Sequence, residues 1–147
     1  MNKWILLVAL ITSWGLSAQQ HTFNTKKGYV VHGYDVVSYF QGKAQEGQAA
    51  NTATYQGAKF KFATESNLKT FLENPEKYVP KYGGYCAYAI AVSGKKVNVN
   101  PETFEIRDGE LFLFYNSGKN NTLESWLAES PEKLKKEADA NWQKIKK

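Results

Sequence analysis

The sequence predicts an α+β fold, in which short antiparallel strands and hairpins are packed by about three helices. Two turn signals favour strands, because Gln56-Gly57 and Asp108-Gly109 each separate two short runs of alternating side chains, and glycine accepts the positive φ of a tight hairpin turn. Ser130-Pro131 favours a helix, since a capping serine precedes a proline at the first helical position. That C-terminal helix is amphipathic, with an apolar stripe of Leu134, Ala138, Trp142 and Ile145.

Short runs of β-branched and aromatic residues mark the expected strands. In the last of them Leu111 and Leu113 share one face while Phe112 and Phe114 share the other. Because both faces are apolar, this strand is expected to be covered on both sides. The expected strands are 29–32, 36–40 (a second strand or an extended segment), 52–55, 58–62, 97–99, 104–107 and 110–115.

Capping residues and apolar spacing mark the expected helices. Thr64 can cap a helix with Leu68, Phe71 and Leu72 on its apolar face. Asn74-Pro75 ends it, because proline disfavours helical backbone in the residue before it. A short helical turn is expected at 75–78, a strand or a short helix at 85–92, and a helix capped by Thr122 through residue 127. No internal repeat and no second domain are expected.

Residues 1–18 are typical of a secretory signal peptide: Lys3 gives a positive start, an apolar run follows, and Ser17-Ala18 precede the cut. The alternative is an uncleaved anchor, but the apolar run is shorter than the roughly 20 residues that span a bilayer. We therefore expect an exported protein, periplasmic or secreted, with no integral membrane segment after cleavage. A flexible segment, 19–28, would precede a single domain at 29–147 that ends in a helical extension.

The composition limits the range of partners. The chain carries a net charge of +5 and its excess lysines lie near the C-terminus, whereas Arg107 is its only arginine. Nucleic-acid binding is therefore not expected, because it usually requires clustered arginine and lysine.

Cys86 is the only cysteine, in the stretch KYGGYCAYAI at 81–90. It cannot form an internal disulfide, so it is a buried inert residue, a ligand, a redox thiol or half of an intermolecular bond. A Cys-x-x-Cys oxidoreductase is excluded, and the sequence contains no Gly-x-Ser-x-Gly, phosphate loop or His-Glu-x-x-His. No catalytic motif therefore supports an enzyme.

Three motifs together resemble a YHS domain: GYDVVSY at 33–39, YQGAKFKF at 55–62 and NPEKY at 74–78. The stretch KYGGYCA and the second hairpin extend the resemblance to about residue 116 and make it similar to the exported bacterial branch of that family. The resemblance implies a binding domain, commonly one that holds a metal ion. The positions where short members carry cysteines fall here on Ser38, Ala63 and Asn67, so that metal site does not transfer.

The two glycine turns carry the candidate site. We expect Tyr34, Asp35, Tyr85 and Cys86 to bind a small ligand, and Cys86 with His32 to hold a metal ion, copper or zinc. The predicted function is thus an exported YHS-like binding domain for a small ligand or metal ion. Two alternatives stay open: a redox-active or redox-sensing single-thiol protein, and a structural or interaction module with a buried cysteine.

Overall fold

The computed structural model describes residues 22–147, so the predicted signal peptide and residues 19–21 lie outside the described part. The α+β fold is confirmed, and the C-terminal segment is a helix. Between residues 22 and 147 no helix is both long enough and apolar enough to cross a membrane. The strands are β1 Thr25–Lys26, β2 Tyr29–Val30, β3 Gln48–Tyr55, β4 Ala58–Phe62, β5 Asn100–Arg107, β6 Glu110–Phe114, β7 Asn116–Ser117 and β8 Asn120–Asn121; the helices are α1 Val36–Phe40, α2 Glu65–Glu73, α3 Pro75–Tyr78, α4 Ala87–Ser93, α5 Thr122–Glu129 and α6 Pro131–Ile145.

The strands form three small sheets in the described part of the chain. The largest has the order β1-β2-β4-β3, in which only the β2–β4 pair is parallel, and the others are the hairpins β5–β6 and β7–β8. Both predicted hairpin turns are present, at Gln56-Gly57 and Asp108-Gly109, with positive φ at all four residues.

The order of elements occurs twice, which corrects the expectation of no internal repeat. The first half (residues 31–78) contains a 3-10 turn, α1, the β3–β4 hairpin, α2 and α3. The second half (residues 81–145) contains a 3-10 turn, α4, the β5–β6 hairpin, α5 and α6, with the β7–β8 hairpin inserted before α5.

The registers of the two long hairpins establish that the halves are equivalent. Gln48 pairs with Phe62, and Asn100 pairs with Phe114. In each hairpin the register shifts after this pair and resumes four residues later, at Thr52 and at Phe104. Every pair of the second hairpin lies 52 positions after its counterpart in the first. A bulge re-aims a strand and is a specific feature, so a shared bulge position indicates a shared backbone.

Each half begins with a left-handed turn. Val31, His32 and Gly33 have φ of 49, 55 and 84°. Their counterparts in the second half have φ of 56, 61 and 85°. The fully buried Val31 is β-branched and therefore strained at positive φ. The second turn consists of Tyr82, Gly83 and Gly84.

Four local predictions need correction. The strand expected at 29–32 ends at Val30, because the left-handed turn follows it. Residues 36–40 form helix α1 rather than a strand, since the preceding Asp35 caps their backbone N–H groups. The strand expected at 97–99 instead begins at Asn100, and Asn121, not Thr122, caps α5. The segment 85–92, for which either a strand or a short helix is expected, is mostly helix α4, which begins at Ala87 and ends at Ser93.

Strand β6 separates two apolar cores. Its fully buried Leu111 and Leu113 belong to a core formed mainly by the first half, whereas its equally buried Phe112 and Phe114 belong to a core formed by the second half. The expectation that both faces are covered is thus confirmed. The second core also contains Trp126, Leu134 and Ala138, so the predicted stripe of α6 packs as expected, while Leu72 of α2 is 57% exposed and does not face the core.

Candidate functional site

Asp35 is a buried carboxylate that the first half satisfies completely. Its Oδ1 accepts hydrogen bonds from the N–H groups of Val37 (2.8 Å) and Ser38 (3.3 Å). Its Oδ2 accepts from the N–H of Ala63 (2.8 Å) and from Nδ2 of Asn67 (2.7 Å). A carboxylate can be buried when both of its oxygen atoms accept hydrogen bonds, as those of Asp35 do. Asp35 therefore joins α1 to the end of β4 and the start of α2.

Asp35 was expected to bind a ligand, and its donors occupy the space around it. Three of them, from Ser38, Ala63 and Asn67, are two backbone N–H groups and one side-chain amide. The first half thus uses this position for internal hydrogen bonding.

Cys86 is the counterpart of Asp35 in the second half. Each residue follows a left-handed turn and a tyrosine, and each is the N-cap residue of the next helix. Cys86 makes no side-chain cap hydrogen bond. Its Sγ lies 3.3 Å from Oγ1 of Thr122, and that hydroxyl donates to the carbonyl of Tyr115 at 2.7 Å. The single thiol is fully buried.

A groove opens beside Cys86. It has a volume of about 340 Å³, which is at the lower end of the range for small-molecule sites. Its walls come from α4 and from the segment that follows β6, and they are mainly apolar. Val92, at its edge, is 52% exposed. This Cys86 groove is lined by Cys86, Tyr88, Ala89, Val92, Ser93, Val97, Tyr115, Asn120 and Thr122.

The two glycine turns adjoin, but His32 and Cys86 have different partners. Nδ2 of Asn24 donates to the carbonyl of Gly84 (3.1 Å) and to Oδ1 of Asn98 (2.9 Å). The same Oδ1 lies 2.8 Å from Nε2 of His32. Because an amide oxygen only accepts, this ring nitrogen carries the proton and offers no lone pair to a metal ion.

The predicted metal site is not assembled by these contacts. Among residues 22–147 no group of three or more His, Cys, Asp and Glu side chains is placed to hold a metal ion. Cys86 contacts a hydroxyl, His32 contacts an amide, and Asp35 is saturated by N–H donors. The copper or zinc site predicted at Cys86 and His32 therefore lacks a third ligand in the described part of the chain.

The two predicted tyrosines do not line the Cys86 groove. Tyr34 is half-buried and forms an isolated antiparallel bridge with Glu46. Burial, with smaller contributions from the charges of Glu102 and Glu46, raises the pKa of Tyr34. Tyr85 lies 6.3 Å from Trp142, ring to ring, and the ammonium of Lys96 lies 5.8 Å from the Tyr85 ring. Of the four predicted ligand-binding residues, the groove includes Cys86 alone.

Sequence reasoning missed most of the groove. The sequence predicts only a helix cap at Thr122. The contact of Thr122 with Cys86 spans 36 positions, so no local pattern indicates it. The repeated motif could have directed attention there, since Gly-Tyr-Asp at 33–35 and Gly-Tyr-Cys at 84–86 occupy equivalent places.

Comparison with known proteins finds no matching family model, no similar curated protein and no similar solved structure.

Proposed function

We propose that this chain is a YHS-like binding domain that holds a small, mainly apolar molecule in the Cys86 groove. The observation that carries the proposal is the contrast between Asp35 and Cys86. At one position of a repeated backbone, the first half fills the space with four hydrogen-bond donors around a carboxylate. The second half leaves an open groove at the equivalent position.

The groove lining supports an apolar ligand with one polar end. Ala89, Val92 and Val97 provide aliphatic surface, and Tyr88 and Tyr115 provide aromatic surface. Hydroxyl and amide groups at Ser93, Asn120 and Thr122 can orient a polar substituent. Such a combination, apolar walls with few polar groups, is usual in small-molecule sites.

The YHS assignment and export rest on sequence motifs, the former on residues 33–80 and the latter on residues 1–18. A redox role for Cys86 requires an accessible thiolate. Because Cys86 is fully buried, we prefer the binding role to that alternative.

The experiment is a titration of the isotope-labelled protein with indole and, separately, with decanoic acid, followed by two-dimensional NMR of the backbone amides. We expect saturable shifts of Ala89, Val97 and Thr122 with at least one of these probes. An Ala89→Phe variant fills the groove and is expected to abolish the shifts.

Ala128→Phe is the matched control, because Ala128 is exposed on α5 and does not line the groove. It should bind like the parent protein. The proposal fails if neither probe shifts the groove amides, or if Ala89→Phe binds as the parent does.

A further inference from the structure

A second cavity lies where the two halves meet. It has a volume of about 490 Å³. Equivalent elements of the two halves line it. The β3–β4 and β5–β6 turns contribute Gln56 and Gly109, and helices α3 and α6 contribute Glu76 and Trp142. We call it the inter-half cleft. Clefts between structural units are frequent binding sites, and this one does not include any residue of the Cys86 groove.

One wall of the inter-half cleft is fixed by ion pairs. Nζ of Lys81 lies 3.0 Å from Glu110 and 3.8 Å from Asp139. Lys135 contacts the same two carboxylates at 3.7 and 2.9 Å. The hydroxyl of Tyr82 donates to Asp139 at 2.9 Å. These contacts neutralise Lys81 and Glu110 and hold their side chains in place before any ligand arrives.

The remaining polar groups of the cleft include both donors and acceptors. In residues 22–147 neither Lys77 nor Lys146 pairs with a carboxylate, and Glu76 pairs with no cation. Gln56 adds an amide that both donates and accepts. Because charges of both signs are present, the cleft does not select a strongly charged ligand. A neutral molecule rich in hydroxyl groups can use both kinds of partner.

Aromatic rings supply the apolar part of the cleft. Phe23, Tyr55 and Trp142 line it and are each half-buried, so part of each side chain faces solvent. Tyrosine and tryptophan combine an apolar face with a polar group, which suits the C–H faces and hydroxyl rims of a sugar ring.

We propose that the inter-half cleft binds a neutral oligosaccharide. The sugar rings stack on Tyr55 and Trp142, and Gln56, Glu76 and Lys77 bond to the hydroxyl groups. Binding here is independent of the function proposed for the Cys86 groove, because the two cavities share no residue.

The test is isothermal titration calorimetry of the purified protein with maltohexaose, cellohexaose and chitohexaose in 0.3 M salt. We expect at least one to bind saturably. Trp142→Ala should weaken binding by roughly tenfold, the size expected for a lost stacking contact. Glu76→Ala should weaken it by about threefold, the size expected for a lost exposed hydrogen bond.

Trp142 also packs against the second core, so Glu76→Ala is the variant that tests the proposal if Trp142→Ala does not fold. Glu73→Ala is the control, since this neighbouring exposed carboxylate does not line the cleft. The proposal is overturned if none of the three sugars binds, or if Glu76→Ala and Glu73→Ala have the same effect. It is also overturned if only an anionic sugar, a heparin hexasaccharide, binds and that binding is lost in 0.3 M salt.

Discussion

Asp35 and Cys86 occupy equivalent N-cap positions in the two halves, and they differ in how fully their polar atoms are bonded. The carboxylate of Asp35 accepts four hydrogen bonds, while the sulfur of Cys86 has one hydrogen-bonding partner, Thr122. Equivalent backbone therefore surrounds a hydrogen-bonded carboxylate, the structural centre, in the first half and adjoins a cavity in the second.

The first prediction compares the removal of each side chain. Asp35→Ala leaves several buried N–H groups without an acceptor, so we expect it to lower the free energy of unfolding by about 3 kcal/mol or more. Cys86→Ala removes one sulfur and a weak contact, and about 1–2 kcal/mol is expected. Urea unfolding followed by circular dichroism measures both. Equal losses would contradict the assignment of Asp35 as the structural centre.

The second prediction concerns the reactivity of the thiol. Since Cys86 is fully buried, 5,5′-dithiobis(2-nitrobenzoic acid) should react with it at least about 100-fold more slowly in the native protein than in guanidinium, where opening does not limit the reaction. Absorbance at the thionitrobenzoate band follows the rate. Fast labelling of the native protein would instead favour the redox-thiol alternative.

The third prediction concerns acid stability. Burial alone raises the pKa of Asp139, but hydrogen bonds from Lys135 and Tyr82, together with the charge of Lys81, outweigh it and hold the pKa below the ordinary 3.8. A lowered pKa contributes stability above the ordinary value, and this is lost as the pH falls through the folded-state pKa. Below about pH 4, the melting temperature of Asp139→Asn should therefore fall less than that of the parent protein.

The comparison is made by calorimetric melting from pH 6 to pH 2.5. The control variant is Glu73→Gln, because Glu73 is exposed and forms no ion pair in the described part of the chain. It should follow the parent curve. Parallel curves for Asp139→Asn and the parent protein would show that the network does not contribute to the acid response.

The fourth prediction compares two leucines. Leu113 is fully buried in the core, whereas Leu72 is 57% exposed. Leu113→Ala should lower the free energy of unfolding by about 3 kcal/mol and Leu72→Ala by less than about 1 kcal/mol. Thermal and urea unfolding check both values. A large loss for Leu72→Ala would mean that this side chain is covered in solution.

Local signals predicted much of the fold because they depend on few residues. Gln56-Gly57 and Asp108-Gly109 required positive φ and formed the expected turns. Ser130 caps α6 through the N–H of Lys133, as its position before proline indicated. By contrast, 36–40 is β-branched and aromatic, yet the cap supplied by Asp35 makes it a helix, because a local side-chain bond outweighed strand propensity.

The repeat and the groove could not be predicted, because they depend on features that no local sequence pattern indicates. The halves share geometry more than residue types: lysines alternate with phenylalanines at 59–62, whereas 111–114 is wholly apolar, because the second core covers that face. The groove forms between residues such as Cys86 and Thr122, which are distant in the chain. No periodicity along one segment reports such a contact.

Alternate side chains of β6 enter opposite cores, and this arrangement makes the stability of each half depend on the other. Unfolding of either core exposes one face of β6, and the opposite face of β6 is part of the other core. Heating should therefore produce a single cooperative transition. A fragment that stops near residue 80 would lack Leu111 and Leu113 and would present bare apolar surface to water. The two halves of the repeat therefore form one folding unit instead of two.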